Sequence, residues 1–203
     1  MKFRGFSLAE VMCVMIVLSV LSLLFWQVVY PIYSKRVASS KIKNFQTTIQ
    51  QVRLKAQKDY VDWYDYYLSP DITESTFMDD YILPYVTYLE KDTDEKGNPH
   101  VFLANATSFS LKKDDGKCMM FILDINGNMP PNEAGKDLFY FNYCPLTDSS
   151  FVKQGDFIPY QTKDMTSRDR ALDKCKEEPK SCSGFISFDN YEFLDDYPFR
   201  IPL

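Results

Sequence analysis

The sequence predicts an α+β fold in which a long N-terminal α-helix packs on an antiparallel β-sheet head. Residues 6–26 form an apolar stretch whose only charged residue is Glu10, and apolar residues beyond it recur at helical spacing. The rest of the chain alternates short apolar runs with turn residues, as antiparallel strands do. With 203 residues, 45% of them hydrophobic, the chain is long enough to bury one core.

Charge is distributed unevenly along the chain. From Phe6 to Lys58, seven basic residues stand against one acid, so this stretch carries a net charge of +6. From Asp59 onward, 14 basic residues stand against 27 acids, which gives a net charge of −13. A basic helix therefore leads into an acidic head, and we expect no nucleic-acid partner.

The N-terminal apolar stretch is long enough to cross a membrane, because about 20 helical residues span ~30 Å of hydrocarbon. Lys2 and Arg4 precede it and predict a cytoplasmic leading end, with the head outside the cytoplasm. A secretory signal peptide has its small-residue cleavage site after the apolar core, whereas Gly5 stands before it. We therefore expect the apolar helix to stay on the mature protein as a single-pass anchor.

The run from Gly5 to Glu10, Gly-Phe-Ser-Leu-Ala-Glu, resembles the cleavage and methylation signal of type IV prepilins. The resemblance implies that a prepilin peptidase cuts between Gly5 and Phe6 and methylates the new Phe6 amine. It also implies that Glu10 pairs with the Phe6 ammonium of a neighbouring subunit. An acid inside an apolar helix costs about 2.5 kcal/mol or more, which favours such a partner. The alternative is a plain anchor that tolerates Glu10 near the membrane surface.

The resemblance divides the chain into four parts. Residues 1–5 are the leader peptide, 6–33 the transmembrane and assembly half of the helix, 34–68 its amphipathic half, and 69–203 a β-rich, pilin-like head. Proline removes a helical hydrogen bond and kinks the helix at Pro31. The resemblance implies that Pro31 is a hinge; the alternative is that it only marks where the helix leaves the bilayer. The buried stripe of the amphipathic half is predicted to contain Phe45, Ile49, Val52, Ala56, Tyr60, Trp63, Tyr64 and Tyr67, with Ser69 and Pro70 ending the helix.

The head is predicted to begin with a connecting region over residues 71–100, and the sheet near Val101. An Asp115-Gly116 turn places Leu111 opposite Met120 and Phe109 opposite Ile122. A third strand covers Leu138–Tyr143. Residues 147–169 are predicted to be a surface excursion, 168–176 a short helix, 184–191 a last strand, and 197–199 a tail that covers an edge.

Cysteine placement favours disulfides in the head. Cys13 lies in the apolar stretch, and the other four cysteines lie in the polar remainder without the paired spacing of a zinc site. If Asp124 faces Leu138 across two strands, Cys118 faces Cys144. Six residues separate the other two, which could close a smaller loop, and unpaired thiols are the alternative. The favoured pairs are Cys118 with Cys144 and Cys175 with Cys182.

The segment from Asp124 to Asp137 admits two interpretations. Its Asn-Gly and Pro-Asn pairs are typical of tight turns. Its oxygen-bearing side chains alternate as they do in calcium sites, with Asp124, Asn126, Asn128 and Asp137 as ligands. The segment also resembles one found in a set of bacterial pilin-like proteins. No cofactor is otherwise expected.

No catalytic residues are predicted, and we expect no enzyme. His100 is the only histidine, and it falls in a predicted loop, where a surface position is expected. The resemblance implies a structural subunit, major or minor, of a type IV pilus or of a type II secretion pseudopilus. Its partners would be copies of itself or other pilins, the prepilin peptidase and an inner-membrane assembly platform, and it would move from the inner membrane into a periplasmic or extracellular filament. The alternative is a membrane-anchored extracytoplasmic binding module or enzyme.

Overall fold

One long helix, Leu8–Lys58, forms the N-terminal part of the molecule. The computed structural model describes residues 7–64, 72–94, 97–114, 118–127, 129–145 and 155–202. Within the long helix, α1 covers Leu8–Leu24, a π-helical turn covers Phe25–Val29, and α2 covers Tyr30–Lys58. The helix packs on a six-stranded antiparallel sheet, which confirms the predicted α+β fold.

Of the two segments of the long helix, only α2 contributes residues to the core of the head. Helix α1 is apolar on every side and buries none of its residues. The buried residues of α2 recur at spacings of three and four, so they form one stripe along the helix. They are Ser34, Ala38, Ile42, Phe45, Ile49, Val52 and Ala56. The predicted stripe from Phe45 to Ala56 is therefore confirmed, and the amphipathic part begins at Ser34.

The helix ends ten residues before its predicted end. Tyr60 has a left-handed backbone with φ of 61° and is 96% exposed, so it does not continue the buried stripe. Val61 then donates its N–H to the Ala56 carbonyl and closes the last turn. Trp63 is buried, but it lies in the segment that follows the helix, where its ring stacks on Phe121. The helical interpretation of residues 59–64 is wrong; Tyr67, Ser69 and Pro70 lie outside the described residues.

The sheet is a meander in which each strand pairs with its neighbour in sequence. Its strands are β1 Tyr88–Thr93, β2 Pro99–Leu103, β3 Ser108–Asp114, β4 Cys118–Asp124, β5 Leu138–Tyr143 and β6 Phe157–Pro159. Strands β1 and β6 were not predicted. Strand β1 is almost wholly exposed at the sheet edge and carries charged residues, so it lacks an alternating apolar pattern. Strand β6 has only three residues, within the predicted surface excursion.

The predicted register of the first hairpin is wrong by one residue. Leu111 lies opposite Phe121, and Phe109 opposite Leu123. Because Asp114 pairs with Cys118, three residues close the hairpin and not two. These three, which include the predicted turn residues, lie outside the described part of the chain. The second prediction, Asp124 opposite Leu138, is confirmed.

Short helices complete the head. Helix α3, Glu74–Phe77, leads into a π-helical turn Met78–Ile82 and a 3-10 turn Leu83–Tyr85. The predicted helix near residue 168 is confirmed as α4, Arg168–Glu177. After a 3-10 turn at Pro179–Ser181, α5 covers Cys182–Phe188, where a strand was predicted.

Helix α5, where a strand was predicted, packs closely on the chain before α4 at Gly184. A Cβ atom there would come within 2.6 Å of the Tyr160 carbonyl oxygen, so only glycine allows this approach. Phe185 and Ile186 are buried beside it. The C-terminal tail covers this layer, and the Tyr197 hydroxyl donates to the Gly135 carbonyl at 2.5 Å.

Phe45 is the centre of the contact between helix and sheet. Its ring lies 5.4 Å from both Phe109 and Phe141 and 6.2 Å from Phe157, measured between ring centroids. These three rings come from β3, β5 and β6. A single α2 side chain therefore joins three strands to the helix.

We expect Phe45→Ala to lower the free energy of unfolding by about 3–5 kcal/mol, because it leaves a cavity among aromatic rings. The matched control is Leu54→Ala on the same helix, whose side chain is 55% exposed. That substitution should change stability by no more than about 0.5 kcal/mol. Denaturant unfolding of both variants, followed by near-UV circular dichroism, measures the difference. Equal effects would contradict the central role of Phe45.

Candidate assembly site

The N-terminal helix presents an apolar surface that the head does not cover. Its best 18-residue window has a mean hydropathy of 2.6, and none of that window is buried. The 22 residues from Leu8 to Val29 include one charged residue, Glu10. A helix that is apolar on every side is stable only in lipid or against other helices. By length and composition, this segment is therefore able to cross a membrane.

Glu10 lies in the first turn of α1 and closes a reciprocal cap with Ser7. The Glu10 N–H donates to the Ser7 hydroxyl oxygen at 3.3 Å. In return, the Ser7 N–H and hydroxyl donate to Glu10 Oε2 at 2.8 and 2.9 Å. No described residue donates to Oε1, so that oxygen is available to another donor. The predicted processing residues, Gly5 and Phe6, lie outside the described residues.

A widened turn stands immediately before the predicted hinge. The helix passes through Pro31, which has no N–H to donate. In the turn before it, the Tyr30 N–H reaches back five residues to the Phe25 carbonyl. The Ser34 hydroxyl donates to the Pro31 carbonyl at 3.0 Å and supports the next turn. The proline therefore coincides with an irregular turn in a continuous helix, and its role as a hinge stays a prediction.

The head loop from Asp124 to Asp137 is held together by its own carboxylates. Asp137 is fully buried and accepts N–H groups from Asn132 and Glu133, at 2.8 and 2.6 Å, and the Asn126 side-chain amide at 3.3 Å. Asp124 accepts the Asn126 N–H at 3.0 Å. These bonds are those of turn stabilisation.

The calcium hypothesis gains no support from this arrangement. Both Asp137 oxygens accept N–H donors of the loop itself, an arrangement that turn stabilisation explains without a cation. Across the described ranges, no three or more His, Cys, Asp or Glu residues cluster as a metal site. Asn128, the remaining predicted ligand, lies outside those ranges.

Lys41 connects this loop to the long helix. Its ammonium donates to the Ile125 carbonyl at 2.7 Å, and its charge faces Asp124. Burial raises the pKa of Asp124 to about 7, and the Asn126 N–H opposes this shift. Burial also lowers the pKa of Lys41, which the charge of Asp124 partly offsets. This basic helix residue therefore holds the acidic loop against the helix.

The four cysteines of the head form two disulfides, between Cys118 and Cys144 and between Cys175 and Cys182. These are the pairs that the sequence favoured. The Cα atoms are 4.3 and 4.4 Å apart. Cys13 is exposed on α1 and unpaired. The disulfides tie β4 to the end of β5, and α4 to α5.

The sole histidine lies in a strand and not in a surface loop. His100 belongs to β2, is half-buried, and has its ring 4.8 Å from that of Phe102. Its Nε2 atom is buried without a hydrogen-bond partner among the described residues. Burial lowers the pKa of His100. The expected surface position is wrong, because β2 begins two residues before the predicted start of the sheet.

We expect stability to depend on pH through Asp124. Since its pKa rises from 3.8 to about 7 on folding, the folded protein keeps this proton to a higher pH than the unfolded chain does. This contribution to stability is complete below the unfolded pKa and is lost as the pH rises toward 7.

The free energy of unfolding should therefore fall by about 3 kcal/mol between roughly pH 4 and pH 7. Asp124→Asn should remove most of this fall, whereas Asp80→Asn, at an exposed position, should keep it. Chemical denaturation across this pH range measures both. The same slope in all three proteins would contradict the assignment.

Two protein-family models match the chain, one at its N-terminus and one over most of the rest. Residues 1–26 match the prokaryotic N-terminal methylation motif, which indicates a type IV prepilin signal. Residues 30–201 match a family of unknown function (DUF6613). No curated protein and no solved structure matches the chain. The chain therefore belongs to this family of unknown function, DUF6613, and is a type IV pilin-like protein with an N-terminal methylation signal.

Proposed function

We propose that the protein is a structural subunit, a major or minor pilin or pseudopilin, of a type IV pilus or a type II secretion pseudopilus. One observation carries the proposal: the chain begins with a methylation motif, and the helix from Leu8 to Val29, most of which belongs to that motif, is apolar on every side and uncovered by the head. In lipid this surface serves as an anchor, and in a filament the same surface packs against other helices. The role is structural and not catalytic.

Glu10 gives assembly its direction. Moving the helix from lipid into a bundle exchanges one apolar environment for another, so apolar contact alone favours neither state strongly. In the single chain, the Ser7 donors keep Glu10 Oε2 paired. A neighbouring Phe6 ammonium would add a charge-assisted bond, which is about twice as strong as a neutral one. Pairing between copies would then fix their axial register.

Charge complementarity would bring subunits together. Lys55 and Lys58 are exposed near the end of α2, and Glu90 and Asp92 are exposed on the edge strand β1. Opposite charges on the two surfaces would steer the acidic head of one copy toward the basic helix of another. The other partners would be a prepilin peptidase, which would act on Gly5 and Phe6, and an inner-membrane assembly platform. The head would lie outside the cytoplasm before assembly.

The mature protein should begin at Phe6 with a methylated amine, because the leader is cut before the apolar helix. Mass spectrometry of the N-terminal peptide from the native membrane fraction measures this. Deletion of the prepilin peptidase is the control and should leave Met1 to Gly5 attached. An unprocessed chain in cells that contain the peptidase would overturn the proposal.

Glu10→Ala should leave membrane insertion intact and reduce incorporation into filaments by at least about tenfold, since the ammonium of the neighbour loses its acceptor. The matched control is Ser19→Ala on the same helix, where the hydroxyl donates within its own turn, to the Ile16 carbonyl at 2.7 Å. Sheared filament fractions and membrane fractions are compared by immunoblotting. A normal filament yield from Glu10→Ala would remove the pairing argument.

A further inference from the structure

The base of the head lies where the helix leaves the bilayer. The 22 residues from Leu8 to Val29 have a length of about 33 Å, which matches the thickness of the hydrocarbon core. Tyr30 therefore falls at the level of the lipid headgroups. Head residues that lie beside this part of the helix face the membrane surface.

A groove of about 380 Å³ opens at this level between the helix and the head. Trp26 and Tyr30 form its helix side, with ring centroids 5.3 Å apart. Pro131, Lys136, Arg200 and Pro202 form its head side. Trp26 is 59% exposed although it has a large apolar ring. Tryptophan and tyrosine are enriched at this depth because their rings suit the interface between lipid and water.

The groove carries positive charge on a head that is otherwise acidic. Arg200 is exposed and forms no ion pair with any described residue. Lys136 is paired with Glu133 at 2.6 Å, so it contributes less free charge. A second groove on the same part of the helix contains Lys35 and Arg36 beside Ile32 and Leu194. Lys35 is paired with Asp195 at 3.6 Å, whereas the exposed Arg36 has no ion pair in the described part.

We propose that this base binds anionic phospholipid, with the lipid phosphate at Arg200 and Lys136 and the upper acyl chain against Trp26 and Tyr30. Arginine recognises phosphate through a fork of N–H donors, and basic residues beside a membrane attract anionic lipids. Arg36 would add a second contact for a neighbouring lipid. The inference rests on the proposed membrane anchoring and not on filament formation. Such binding would hold the acidic head in one orientation on the membrane before extraction.

The test uses the full-length chain in nanodiscs with equal amounts of phosphatidylglycerol and phosphatidylcholine. Native mass spectrometry counts the lipids of each class that stay on the released protein. The variants are Arg200→Gln, the double variant Arg200→Gln with Lys136→Gln, and Arg200→Lys, which keeps the charge. The control is Lys112→Gln, an exposed position near the β3–β4 hairpin, at the end of the sheet where α2 stops.

We expect the wild type and Lys112→Gln to retain phosphatidylglycerol in preference to phosphatidylcholine. Arg200→Gln should reduce this preference about fivefold, as expected for one basic residue at a membrane surface, and the double variant should reduce it further. Arg200→Lys should keep most of it, which excludes misfolding as the cause. Equal retention of both lipids by the wild type, or an unchanged preference in the double variant, would overturn the proposal.

The proposal would also be overturned if the wild type showed no lipid preference but formed a dimer that the double variant abolishes. That outcome would point to contact between two copies at this groove. The measurement does not depend on filaments. A chain that never polymerises but keeps the lipid preference would contradict the proposed function alone.

Discussion

The structure depends on one constraint, which is that the head covers only the second half of a single long helix. Burial begins at Ser34, and none of the residues of α1 is buried. The apolar surface of α1 must therefore be covered from outside the chain, by lipid or by other helices. A globular protein would not leave so large an apolar surface exposed unless it served an interaction. The constraint explains why one helix combines an anchor with a core element.

The sequence predicts those parts of the fold that depend on local patterns. The spacing from Phe45 to Ala56 predicts the stripe of α2 because the helix buries one face on a flat sheet. The end of α2 was missed because Tyr60 adopts a left-handed conformation that usually signals glycine. The apolar residues around Gly184 suit a strand or a helix equally well, so the helix there was not predicted. Edge strand β1 has no apolar pattern to detect.

The candidate site likewise has features that local sequence patterns predict and features that they do not. The Ser7 and Glu10 spacing is that of a reciprocal helix cap, so the cap could have been predicted from the sequence alone. The contact of Lys41 with Ile125 joins residues far apart in the chain, and no local pattern reveals it. The register of the β3–β4 hairpin depends on the length of the loop that closes it. One additional loop residue reverses which side chains of β4 lie on the same face as Phe109 and Leu111. Cys118 and Cys144 could be paired because the second register was predicted correctly.

In the described part of the chain, the contacts that hold the head on the helix lie beyond the apolar segment Leu8–Val29. Phe45 joins the helix to three strands, and Lys41 fixes the head loop from the same helix. The widened turn at Phe25–Val29 connects α1 to α2 and so to the head. Because α1 contributes no buried residue to the core, exchanging its lipid for neighbouring helices leaves the core intact. The proposed transfer from a membrane to a filament would therefore not require the head to unfold.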